Sequence, residues 1–256
     1  MTERGMPPVT ITDVQTILTA PGGRAATVVK VLTDQPGLYG VGCASLGSRP
    51  LEVAEKARAF MEEGFRYIRV QLAVPGYTTY GSRGNDRKRA LNPAQEHTWE
   101  PSAYARMLPG FIEQMRVALG EEVELLHDVH EHVPPILGVW LAKAVEPYRL
   151  FFLEDLFAPE DIGYFPMVRA QCATPLAMGE LFVNQAEYLD LVRERLIDFI
   201  RCHISDIGGL TPARKLATFG ELVGVRTAWH GASVSPVGHV AQLHLDMAVS
   251  NFGIQE

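Results

Sequence analysis

Asp128, Glu154 and Glu180 follow one another at intervals of 26 residues, and each closes a short apolar run, ELLHD, FFLE and PLAMGE. Three carboxylates from neighbouring elements offer hard oxygen donors, and such donors, with room left for water and substrate, favour Mg2+ over zinc. Without a cation, like charges brought this close repel strongly. Around the first acid, HDVHEH packs three histidines, one aspartate and one glutamate into six positions. If this segment ends a strand, Asp128 and His130 share one side and His127 points to the other; by the same alternation Glu154 and Asp155 do not both face one way, nor do Arg201 and Cys202. A zinc hydrolase reading fails on spacing. H-E-x-x-H is broken because Pro134 stands where the second histidine belongs, and H-x-x-E-H is broken because position 128 is Asp.

The elements that would carry these acids alternate between apolar strands and amphipathic helices. LEVAEKARAFMEEG leads to YIRVQ, SAYARMLPGFIEQMRVALG to VELLHD, PPILGVWLAKAVEP to RLFFLED, a helix near 162–171 to PLAMGE, QAEYLDLVRER to DFIRCH, TPARKLATFGELVG to VRTAWHG, and a helix near 236–248 to NFGIQE. This alternation predicts parallel βα units, and a closed barrel gathers consecutive strand tips around one point, as a doubly wound sheet does not. Seven strands are countable where a (β/α)8 barrel needs eight, so the expected fold is an incomplete α/β barrel. Residues 9–44 read differently, as β-stretches separated by Pro-Gly and Gly-Gly turns, which predicts a small antiparallel meander. The expected organisation is a partial N-terminal domain over residues 1–50 and a barrel domain over 51–256.

Composition narrows the partner. The chain has 256 residues, 47% hydrophobic and 21% charged, with a net charge of −7, and its scattered basic residues make no surface for nucleic acid. Cys43, Cys172 and Cys202 are too few and too dispersed for a disulfide framework. No signal core and no run of about 18 apolar residues is found. A cytoplasmic protein with a small-molecule partner and no membrane is expected.

Taken together, LLHDVHE, FFLED, PLAMGE, LIDFIRCHISDIGGLTP, AWHGASVSP and NFGIQE resemble the mannonate dehydratase group of the enolase superfamily, and FIRCHIS and GELFVN are most similar to its starvation-sensing branch. The resemblance implies an enolase-type barrel with a capping meander and Mg2+ held by Asp128, Glu154 and Glu180. It implies dehydration of a sugar acid of the D-mannonate or D-gluconate type to a 2-keto-3-deoxy acid. In such enzymes a tyrosine beside an arginine removes the C2 proton, which maps to Tyr80 and Arg69, with Tyr77 competing. His130 becomes the acid that assists loss of the 3-hydroxyl, His230 faces the substrate from the opposite side, and Arg201 and Glu256 touch the substrate or order the site. The alternative implied by the same kinship is a catalytically idle relative that senses or binds.

The sequence also departs from that group. LGSRPLEVAEKARAFMEEGFRYIRVQ passes directly from meander to the helix before the second barrel strand, so most of the capping bundle and the first strand are missing. HGASVSP is one residue shorter than the related loop and lacks its aspartate, CASLGSRP lacks an asparagine, and the resemblance leads to the expectation that the covering C-terminal segment of that group is lacking. An open barrel edge of this kind invites pairing, so a homo-oligomer is expected.

Overall fold

The computed structural model describes residues 10–19, 26–34, 39–44, 53–71, 99–231 and 236–255. Strands β1 (Ile11–Thr19), β2 (Ala26–Thr33) and β3 (Tyr39–Ala44) form the antiparallel meander, in the order β1-β2-β3. β3 lies alongside the last helix of the chain, α7 (Pro236–Asp246).

Between them run α1 (Val53–Glu62), β4 (Tyr67–Arg69), α2 (Pro101–Leu119), β5 (Glu124–Asp128), α3 (Pro135–Val145), β6 (Phe152–Glu154), α4 (Phe165–Arg169), β7 (Leu176–Met178), α5 (Gln185–Arg193), β8 (Phe199–Ile200), α6 (Leu210–Val223) and β9 (Arg226–Thr227). The six strands β4 to β9 are parallel and hydrogen-bonded in sequence order. A parallel bridge from Thr227 to Phe252 adds the seventh segment, NFGIQE. The result is the incomplete α/β barrel expected from the sequence, a curled parallel sheet with helices on its outer side.

Local sequence sets the boundaries. Pro101 and Pro135 open α2 and α3 in the first turn, where a missing N–H costs nothing. Asn184 caps α5, its Oδ1 accepting from the Ala186 N–H while Glu187 reaches back to the Asn184 N–H. Gly224 ends α6 in the left-handed conformation at φ 82°.

Strand alternation divides the core in two. Leu125, Leu153, Leu176, Met178, Ile200 and Trp229 point outward to the helices and belong to the large core, whereas Leu126, Phe152, Ala177, Phe199 and Ala228 form a smaller cluster inside the curl. At the strands' N-terminal end the Arg226 guanidinium lies over the Phe151 and Phe199 rings, 5.7 and 5.1 Å from their centroids. That packed floor leaves the opposite, C-terminal end for chemistry. Among the described residues no helix is long and apolar enough to cross a membrane.

One buried acid on the outer layer has a pH consequence. Both carboxylate oxygens of Asp246 and the Trp229 indole N–H lack a partner of good hydrogen-bonding geometry, and burial, which outweighs the nearby indole, pushes the Asp246 carboxyl up to about 7. A raised acid costs the fold nothing below its ordinary pKa; the cost grows from about pH 4 to 7 and is complete above that. Asp246→Asn should therefore unfold at higher temperature than the parent at pH 8, by on the order of 1 kcal/mol after allowance for solvent screening. The difference should fade near pH 4; a gap independent of pH would mean that ionisation of Asp246 is not its source.

Candidate metal centre and active site

Neighbouring strand tips deliver the acids. Asp128 on β5 is the register partner of Glu154 on β6, so their side chains emerge side by side. Glu180 stands two residues past the end of β7, after Gly179. That glycine has φ 145°, and a Cβ on it would come within 2.9 Å of the Cys202 backbone nitrogen, so both conformation and space require glycine there. Ligand atoms of Asp128, Glu154 and Asp155 lie within 4.8 Å of one another, as do those of Glu154, Glu180 and His230. Glu154 thus links the acid of β5 to the acid beyond β7.

Each partner of Glu154 is cationic. Arg201 Nε donates to Glu154 Oε1 at 2.5 Å and Arg69 Nη2 donates to Oε2 at 2.5 Å, with Arg69 Nη1 at 3.5 Å from Asp128 Oδ2. Arg201 is only 1% exposed, and its Nη1 donates to the Ala228 carbonyl at 3.0 Å. Its guanidinium therefore lies buried against Glu154 and the Ala228 carbonyl.

Glu180 is held from both sides. His130 Nε2 donates to its Oε1 at 3.1 Å and His230 Nε2 to its Oε2 at 2.6 Å. Although burial works the other way, these hydrogen bonds hold the Glu180 carboxyl well below the usual carboxylate range. Burial also works against the His130 cation, but the Glu180 bond and the Asp128 charge push the imidazole up to about 9. Burial, then the Glu154 charge, pushes Asp128 up to about 6.

Asp155 departs from simple alternation. Its φ of 42° turns the chain left-handed at the strand end, so the side chain folds back beside Glu154 instead of pointing away, and its Oδ1 accepts from the Gly179 N–H at 3.2 Å. Burial, then Glu154 and Glu180, pushes its carboxyl well above the usual range. His127 does point away, as alternation predicts. Its Nδ1–H donates to the Val70 carbonyl at 2.7 Å, which leaves Nε2 to accept from the Tyr104 hydroxyl at 2.7 Å. This neutral, buried imidazole clamps β4 to α2.

The donor set suits a hard divalent cation. Asp128 Oδ1 and Asp155 Oδ2 are buried with no hydrogen-bond partner, and each Glu154 oxygen keeps a second lone pair beyond the one its arginine uses. Unsatisfied carboxylate oxygens in mutual repulsion are what Mg2+ would relieve.

Arg69, Asp128, His130, Glu154, Glu180, Arg201 and His230 are therefore brought to one end of the barrel. Tyr80, its competitor Tyr77, and Glu256 lie outside the described residues. Two further residues were assigned no role from the sequence. His203, two positions beyond Arg201, places its ring 4.5 Å from that of His230. Gln242 on α7 is fully buried; its Nε2 donates to the His230 carbonyl at 2.7 Å and its Oε1 accepts from Gln255 Nε2 at 3.0 Å. A Cβ on Gly231 would come within 2.4 Å of Gln242 Oε1, so the bare backbone there admits the amide. Gln242→Met keeps the volume but removes the buried hydrogen bond to the His230 carbonyl, and should lower unfolding free energy by about 1–3 kcal/mol in urea titrations; an unchanged midpoint would show the amide to be dispensable.

Known proteins share the sequence and the fold. The enolase C-terminal domain-like family matches residues 52–256. A D-galactonate dehydratase family member of Musicola paradisiaca is 37% identical over 352 aligned residues, spanning 96% of this chain and 83% of the relative. That alignment is longer than this 256-residue chain, so the relative carries internal residues that the chain lacks. Another member, from a Paenibacillus species, is 47% identical over 211 residues, 80% of this chain and 51% of its own. Among solved structures, an enolase of Pantoea ananatis with bound D-gluconate and Mg superposes with a TM-score of 0.79 at 36% identity, covering 97% of this chain and 84% of its own. A mandelate racemase/muconate lactonizing enzyme from Jannaschia sp. shares the fold at 18% identity, with a TM-score of 0.74 over 96% of this chain and 86% of its own.

Proposed function

The chain belongs to the enolase superfamily, among its D-galactonate dehydratase family members, and from that footing we propose that it dehydrates a sugar acid in an Mg2+-dependent reaction. The observation that carries the proposal is the meeting of acids from consecutive strand tips around Glu154, with histidines on both sides of Glu180. The substrate proposed is an aldonate of the D-mannonate or D-gluconate type, and the Pantoea enolase with gluconate and Mg supports that class.

Asp128, Glu154 and Glu180 are the residues proposed to hold the ion. Bound Mg2+ supplies the positive charge that makes the very weakly acidic proton beside a carboxylate removable. Arg69 and Arg201 hold the two Glu154 oxygens in a fixed direction, so the centre is organised before substrate arrives. Tyr80, or Tyr77 in its place, takes the C2 proton; a neighbouring cation such as Arg69 is what lets a phenol act as base near neutrality. His130 carries a proton on Nε2, positioned by Glu180, and gives it to the departing 3-hydroxyl. The product is a 2-keto-3-deoxy sugar acid.

Incubating the purified chain with Mg2+ and a panel of aldonates, and assaying 2-keto-3-deoxy acid, tests the proposal. Turnover of at least one member that stops on chelation is the expected result. Mg2+ binding with no turnover of any member would instead favour an idle relative that senses or binds, a reading supported by the internal residues this chain lacks.

A further inference from the structure

We propose that His203 is a substrate-contacting residue of this centre, one that binds a hydroxyl group on the carbon chain of the sugar acid. The inference rests on the dehydratase reading above and adds to it the residue that senses the polyol.

Placement comes first. Phe199, Arg201 and His203 succeed one another at a spacing of two along β8 and its extension. Phe199 lies in the inner cluster and Arg201 reaches Glu154 across the interior, so this side of the strand faces into the curl, and the next residue on it rises to the mouth. The observed geometry agrees, because the His203 ring stands 4.5 Å from the ring of His230, and His230 Nε2 is 2.6 Å from Glu180 Oε2. His203 is thus one side chain removed from a proposed metal ligand, on the side away from His130.

Exposure is graded along the same line. Arg201 is 1% exposed and His230 9%, whereas His203 is only partly buried. Its backbone is nonetheless fixed, since the His203 carbonyl accepts from the N–H groups of Asp206 and Ile207 as the chain turns away. A partly exposed ring carried on an anchored turn is preorganised for a ligand, which reduces the ordering cost of binding.

Chemistry selects the group it takes. The acids cluster on β5, β6 and the β7 tip, and both guanidiniums of Arg69 and Arg201 are engaged by Glu154. The β8 and β9 side of the mouth presents imidazoles. An imidazole nitrogen can donate to a hydroxyl or accept from one, so a hydroxyl on the carbon chain is a group this side of the mouth can take.

The experiment uses the full chain with Mg2+, comparing the parent with His203→Ala and His203→Asn on D-gluconate and D-mannonate. Removing one hydrogen bond to a bound hydroxyl should raise KM, or the aldonate dissociation constant measured by calorimetry, about tenfold or more. kcat should move much less, and Mg2+ affinity without aldonate should stay within about twofold of the parent. His203→Asn, which retains a donor and an acceptor, should recover part of the loss; it also serves if the alanine variant fails to fold. Aldonate affinity and the gluconate-to-mannonate preference both unchanged in a folded variant would overturn the assignment of His203 while leaving the dehydratase reading intact. A parent chain that binds Mg2+ but neither binds nor converts any aldonate would overturn that reading, and this inference with it.

Discussion

Glu154→Gln should make the metal-free chain markedly easier to unfold and Asp128→Asn should not, although both should abolish Mg2+-dependent turnover. The two acids are register partners on adjacent strands and both are buried, so simple inspection would assign them equal weight. Their partners separate them. Glu154 is the counter-ion of Arg201, a guanidinium with 1% exposure that cannot turn to water. Removing that charge leaves a buried cation uncompensated, a change that costs about 3–5 kcal/mol where such pairs have been broken. Arg69 adds little to the loss, because its side chain is 30% exposed and can find solvent.

Asp128 stands in the opposite position. Its carboxyl is pushed up to about 6, first by burial and then by the Glu154 charge, and its closest cationic contact, Arg69, is long at 3.5 Å. An acid raised in this way burdens the fold above its ordinary pKa, increasingly from about pH 4 to 6 and fully at higher pH. A neutral amide removes the burden, so Asp128→Asn should match or exceed the parent at pH 7.5, by on the order of 2 kcal/mol at most. Mg2+ should reverse the order. At a hundredfold excess over its dissociation constant the ion stabilises a binding-competent chain by about 2.7 kcal/mol, and neither variant should receive this. Urea titrations with and without Mg2+ separate the outcomes; equal destabilisation by the two substitutions would mean that Arg201 is not balanced by Glu154.

The equal spacing of the three acids was readable because one βα unit separates consecutive strand tips, and a parallel sheet in sequence order turns that interval into adjacency. The inward direction of Asp128 and the outward direction of His127 were readable for the same reason, since period-two alternation needs only the strand. Depth was not. Arg201 and His203 follow β8 at a spacing of two, yet the first is 1% exposed and the second only partly buried, a difference that alternation alone does not carry. Asp155 escaped alternation because a left-handed residue resets the direction of its side chain, and nothing in FFLED marks that turn. Gln242 was invisible for another reason: a glutamine in an amphipathic helix reads as part of the polar face, and only the neighbouring bare backbone of Gly231, brought alongside by folding, gives its amide a buried use.

His130→Asn should lower the rate of sugar-acid dehydration by about 10²- to 10⁴-fold, the usual contribution of a positioned general acid, while leaving removal of the C2 proton intact. Asparagine is the informative replacement because position 130 has φ 59°, a left-handed conformation that asparagine tolerates better than other side chains do. It can also donate a hydrogen bond toward Glu180, so the carboxylate keeps a partner besides His230, but it has no proton to transfer. If Tyr80 or Tyr77 is the base and His130 only the acid, the variant should still exchange the C2 hydrogen of an aldonate for deuterium in D2O with Mg2+ present, and do so without forming the keto acid. Proton NMR of the recovered aldonate reads this directly. Exchange and dehydration lost together, with Mg2+ still bound, would mean that His130 itself takes the C2 proton, and the division of labour between the β5 tip and the segment after β4 would have to be reversed.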